Sequence, residues 1–85
     1  MKVWQPTANE IETTKDWGIW SKESSEFPWS YDNIETCYIL EGKAEVVDDK
    51  GNKIQFKAGD MVRFEKDLQC TWKITVAIKK MYLFS

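Results

Sequence analysis

Residues 34–43 read IETCYILEGK, and this stretch decides the fold. Side chains alternate between the two faces of a strand. Glu35, Cys37 and Ile39 therefore share one side, and Thr36, Tyr38 and Leu40 the other. Both sides are largely apolar, which predicts a central strand covered on both faces. Moving outward, Gly42, Gly51 and Gly59 fall eight or nine residues apart, each between β-type runs. Short strands at that spacing predict an all-β sandwich or barrel. Residues 41–43 read as a turn, residues 43–48 (KAEVVD) as the return strand and residues 48–52 (DDKGN) as a hairpin loop. Residues 53–57 (KIQFK) alternate cleanly, residues 58–60 turn, and residues 61–65 (MVRFE) form the next strand. After the polar turn at 66–69, residues 70–84 (CTWKITVAIKKMYLF) read as two strands meeting near Thr75.

Upstream, residues 17–20 (WGIW) and 27–31 (FPWSY) are aromatic β-type runs. Pro28 lacks an N–H for a ladder, which places its segment at an edge or a bulge. The one helix candidate is residues 7–15 (TANEIETTK), where Thr7 and Glu10 match a capping box. With Ile11 as its only large apolar residue, it predicts a single turn. No repeat, linker or low-complexity tract interrupts residues 1–85, which read as one domain.

Composition narrows the function. The chain has 85 residues, a formal net charge of −2, 42% hydrophobic and 31% charged residues, and five Trp. These are globular proportions, and the large rings extend the core a small domain can build. There is no histidine, which excludes a Ser-His-Asp triad, a Cys-His pair and a His-ligated metal. The acidic balance speaks against nucleic acid. No apolar run approaches the roughly 20 residues of a membrane span. Residues 1–10 are polar, with no signal-peptide core. A cytoplasmic location follows as the expectation, with Cys37 and Cys70 as reduced thiols.

Two stretches, residues 29–42 and 51–72, resemble the two motifs of the cupin superfamily. The first motif carries two metal-binding histidines, then Glu, then Gly six residues further on; here Glu35 and Gly42 are in register and Trp29 and Tyr31 stand where the histidines would be. In the second, Gly59 and Asp60 match, Glu65 and Asp67 replace the Pro and Gly of a turn, and Cys70 occupies the third histidine position. Of the usual ligands only the carboxylate is retained. The segments FPW, ETCY, LEGK, AGD, CTW and MYLF, in that order, further resemble small single-domain cupins related to the cupin domain of ureidoglycine aminohydrolase. Where such relatives often carry His before the last Tyr, this chain has Met81. The resemblance implies a single-domain jelly-roll β-barrel or sandwich with one ligand-sized mouth, often a homodimer. It does not by itself imply an activity.

The cupin register turns Glu35 and Cys37 inward, toward Trp29 and Tyr31 on one neighbouring strand and Cys70 and Trp72 on another. An apolar pocket with few polar groups is the usual form of a small-molecule site. For Trp29 and Trp72 the competing reading is core filling, and it is favoured. Glu35 is the most informative residue, since a carboxylate in an apolar barrel needs a partner. It is either a general acid or base or a structural hydrogen-bond anchor, with Tyr31 as one partner. Lys80 and Arg63 are candidate cations that the sequence does not place inside, and residues 79–80 read as solvated surface. Cys37 and Cys70 lack a nearby base and read more readily as inert thiols than as nucleophiles. A zinc site on Glu35, Cys37 and Cys70 is a weak third reading.

The favoured expectation is a metal-independent cupin with no cofactor that binds a small polar metabolite. Glu35 and Tyr31 orient the ligand, while Trp29, Cys37, Cys70 and Trp72 shape the pocket. The alternative is an enzyme acting on a small nitrogenous or carboxylate metabolite, with Glu35 as acid or base and Cys70 as its thiol. A purely structural dimerising module would instead require a filled cavity.

Overall fold

The computed structural model describes all 85 residues. The chain is built around two long antiparallel strands, β4 (Glu35–Asp48) and β7 (Gln69–Phe84), paired along most of their length. The first half of β4 pairs with β6 (Met61–Phe64), and β6 with β1 (Lys2–Trp4); the matching half of β7 pairs with β2 (Gly18–Lys22). The second half of β4 pairs with β5 (Lys53–Lys57), and the first half of β7 with β3 (Ser25–Ser30). Two small sheets thus share their central strands, in the orders β1-β6-β4-β7-β2 and β5-β4-β7-β3. The all-β prediction holds.

The long strands correct the predicted segmentation. Residues 41–43 do not reverse the chain, and residues 70–84 are not two strands. Instead the register between β4 and β7 slips around Ile39, Glu41, Lys43 and Ala44, the mark of bulges that bend a ladder without ending it. Gly42 has φ +96° and packs onto the backbone carbonyls of Val76 and Ala77. The break read near Thr75 is the other side of this bend, where the Thr75 hydroxyl donates to the Lys43 carbonyl at 3.3 Å. Strand β1 was not legible, because its three residues gain their order from pairing with β6.

Other local readings hold. Thr7 caps α1 (Ala8–Thr13) with the reciprocal Glu10 bonds of a capping box, and a 3-10 turn (Thr14–Asp16) follows. Asp48 closes its hairpin by accepting from the backbone N–H groups of Lys50 at 3.0 Å and Asn52 at 2.8 Å. Pro28 lies on β3, which pairs on one side only, with β7. Asp67, at the turn position that carries Gly in the cupin motif, has φ +69°, a left-handed conformation that Asp tolerates better than most side chains.

Ile39, Val46, Val62, Phe64, Trp72 and Ile78 are fully buried at the centre of the core. No helix is long and apolar enough to cross a membrane.

Candidate functional site

Alternation along β4 buries Glu35, Cys37 and Ile39, as the sequence predicts. Along the second strand, inward positions run Cys70, Trp72 and Ile74, then past the bulge Ile78 and Lys80. This parity carries Lys80 into the protein, correcting its reading as surface, while Lys79 points out. Arg63 lies on the exposed side of β6. Tyr31 follows β3 directly and is pinned by its backbone: its N–H donates to the Leu68 carbonyl at 2.9 Å, and its carbonyl accepts from Asp67 at 2.8 Å.

The three side chains converge. Tyr31 Oη donates to Glu35 Oε1 at 2.7 Å, and Lys80 Nζ donates to Glu35 Oε2 at 3.0 Å. All three residues are nearly inaccessible, Tyr31 at 3%, Glu35 at 4% and Lys80 at 5% exposure. The Lys80 ammonium also sits 4.7 Å from the ring centroids of both Trp20 and Trp72. A buried ammonium and carboxylate each carry a large desolvation cost. Here the pair, the phenol and two indole faces supply the compensation, and no buried side-chain polar atom lacks a partner. Burial, with the Glu35 charge next to it, pushes the Tyr31 phenol far above its ordinary range, so it remains a donor.

Above this floor opens an aromatic cavity of about 220 Å³, lined by Trp20, Phe27, Trp29, Tyr31, Trp72, Tyr82 and Phe84 together with Glu35 and Lys80. Phe27 stacks on Trp72 with their planes 10° apart, and Tyr31 stacks on Phe64 with planes 9° apart. Gly18, opposite Tyr82, leaves the space that ring occupies: a Cβ at residue 18 would lie 2.6 Å from it. Trp29 and Phe84 are about half exposed, at 49% and 47%. They form the rim, while Trp72 is both core and wall.

The sequence-predicted residues therefore separate. Glu35, Tyr31, Trp29 and Trp72 meet at the cavity, and the core-filling preference holds for Trp72 but not for the half-exposed Trp29. The two cysteines are buried but absent from the lining. Burial pushes the Cys37 thiol well up, an effect that the Lys80 charge partly offsets and the Glu35 charge reinforces. Cys70 points its sulfur at the Trp29 carbonyl, 3.6 Å away, and burial, then the charges of Asp48 and Glu35, push its pKa up to about 11. Sequence reasoning missed Trp20, Phe27, Tyr82 and Phe84 and left Lys80 unplaced. The even-numbered parity of the last strand was the available signal for Lys80, Tyr82 and Phe84.

A resident metal, as in His-rich cupins, does not fit these residues. No cluster of three or more Cys, Asp or Glu side chains is arranged to hold an ion. The retained carboxylate, Glu35, is already held by an ammonium and a phenol.

Two bent sheets sharing their long strands around one pocket define a cupin-type β-roll. The chain belongs to the EutQ-like cupin domain family, whose model matches residues 10–82. Among solved structures it is similar to a DUF861 family protein from Thermotoga maritima, at 44% identity over 99% of this chain and 98% of that one, with a TM-score of 0.96. It is also similar to the EutQ protein of Clostridium difficile, at 18% identity and a TM-score of 0.72, covering 79% of this chain and 52% of that one. A DUF861 family protein from Pseudomonas syringae gives 22% identity and a TM-score of 0.72, with 80% of this chain and 29% of that one covered. At these lower identities the likeness concerns the jelly-roll fold alone. No functionally curated protein matches the chain.

Proposed function

We propose that the chain is a binding cupin that holds a small polar metabolite in its barrel without a His-ligated metal. The supporting observation is the Tyr31–Glu35–Lys80 chain of bonds at the floor of an aromatic cavity. In a His-rich cupin a metal would stand against the retained Glu. Here the Lys80 ammonium lies against it, a cation supplied by the protein itself. Trp20 and Trp72 hold that cation in place, Tyr31 fixes the carboxylate, and Trp29 and Phe84 border the entrance. Glu35 and Tyr31 orient the ligand, while Cys37 and Cys70 shape the pocket from behind its lining.

The enzyme reading, related to ureidoglycine aminohydrolase, keeps Glu35 as its acid or base. It has less support at Cys70, whose sulfur faces a backbone carbonyl and is hard to ionise. The test of the favoured reading is elemental analysis of protein purified without chelator, combined with ligand screening by thermal shift. Less than one-tenth of an equivalent of metal is expected, together with stabilisation by ligands that is abolished by Trp20→Ala. One equivalent of zinc, iron or manganese overturns the reading.

A further inference from the structure

The charge and bonding state of the cavity floor restricts what it can bind. Glu35 and Lys80 are the only charged residues lining the cavity, so the lining is formally neutral. Lysine has three N–H donors and no acceptor. At Lys80 one is directed to Glu35, and the ammonium is enclosed by the two indole faces. The phenol proton of Tyr31 is also committed to Glu35. A carboxylate oxygen accepts two bonds, so each Glu35 oxygen keeps a lone pair after receiving one from Tyr31 or Lys80. The floor therefore offers acceptors, while the Tyr31 proton is spent and the Lys80 ammonium, with two further N–H groups, lies over the indole rings. An anion entering the cavity meets the Glu35 charge and must compete for Lys80. A cation meets the Lys80 charge within the same small space. Around this floor stand the aromatic side chains of Trp20, Phe27, Trp29, Trp72 and Tyr82, and rings of this kind favour a planar guest.

We infer that the ligand is a neutral, planar molecule whose N–H group donates to Glu35, such as an aromatic carboxamide or a lactam, and that free acids and amines of the same shape are rejected. This rests on the binding role proposed above and specifies its ligand class. Glu35 is the recognising group, and the Lys80 charge keeps it from selecting amines.

A matched series tests this on the intact protein: benzamide, benzoate, benzylamine and toluene, titrated at one pH and followed by the indole N–H signals of Trp20 and Trp72 in nitrogen-15 NMR. Benzamide is expected to move both signals and to bind about tenfold more tightly than the other three, the scale of one hydrogen bond to a charged acceptor. Glu35→Gln, checked for folding by its amide spectrum, is expected to shrink the preference for benzamide over benzoate, because the new amide also donates. If benzoate or benzylamine binds best, or Glu35→Gln leaves the preference unchanged, the ligand class is overturned while binding in the barrel stands. If none of the four moves these indole signals, both the class and the binding role fall.

Discussion

Lys80 Nζ lies 3.0 Å from Glu35 Oε2 and 4.7 Å from the ring centroids of both Trp20 and Trp72. A cation, an anion and two indoles on three different strands are thereby tied together inside the barrel. Removing one charge of a buried pair leaves the other uncompensated. Lys80→Met is expected to destabilise the fold by about 3–5 kcal/mol, and Lys80→Met with Glu35→Leu to recover most of that loss. Urea denaturation of the two variants checks this. A double variant no more stable than the single one would show that the pair is not the unit of stability.

Tyr31 contributes to the same network through its hydroxyl. Tyr31→Phe keeps the stacking on Phe64 and removes the 2.7 Å bond to Glu35. A cost of about 1.5–3 kcal/mol is expected, the range for hydrogen bonds to charged groups. Combining Tyr31→Phe with the Lys80→Met and Glu35→Leu pair is expected to cost much less, since the phenol then has no carboxylate to lose. Equal costs in both backgrounds would sever Tyr31 from the network.

The thiols give the pH dependence. Folding raises the Cys70 pKa from 9.0 to about 11 and moves Cys37 in the same direction. Because the folded value is the higher one, the unfolded chain releases its proton first. Stability from this source is fully present below the unfolded thiol pKa and declines as pH climbs through the folded value. Cys70→Ala is expected to flatten part of that alkaline decline. At neutral pH the shift leaves Cys70 with about a hundredfold less thiolate than a free cysteine. Iodoacetamide is accordingly expected to label the folded protein far more slowly than the urea-unfolded chain. Equal labelling rates would restore Cys70 as a candidate nucleophile.

Gly42 and Gly59 separate two kinds of glycine requirement. Both have φ +96°, yet a Cβ at Gly59 would meet nothing within 4 Å, whereas one at Gly42 would overlap the Ala77 carbonyl oxygen and lie 2.6 Å from that of Val76. Gly59→Ala is expected to cost only the left-handed backbone strain, about 1–2 kcal/mol. Gly42→Ala must also move the bulge of the partner strand, adding about 1–3 kcal/mol. Thermal melts of the two variants would contradict this if they shifted equally.

Much of the fold was legible because alternation and glycine spacing are local signals. The inward set Glu35, Cys37 and Ile39, the capping box at Thr7 and the Asp48 hairpin all follow from neighbouring residues. The bend was misread as chain reversal because a glycine with positive φ serves a bulge as well as a turn. Only pairing between distant residues, Lys43 with Val76 for example, distinguishes the two. Strand β1 was hidden for the same reason. At the site, Glu35 and Tyr31 were legible as a pair. Lys80 was not, because an adjacent lysine made a solvated face the natural reading, although its inward parity is the same even-numbered one as that of Cys70, Trp72 and Ile74. Trp20 reaches the site by pairing opposite Lys80 across β2 and β7, a neighbour that no local pattern identifies.

The Lys80 ammonium is held inside the barrel between two indoles and a carboxylate, and the chemistry of the cavity floor depends on it. Proton–nitrogen NMR tuned to lysine side chains tests it directly. One ammonium signal is expected to exchange slowly with water, shifted upfield by the ring currents of Trp20 and Trp72 and lost in Lys80→Met. A spectrum in which every lysine ammonium exchanges rapidly, or a protected signal that survives Lys80→Met, would contradict it.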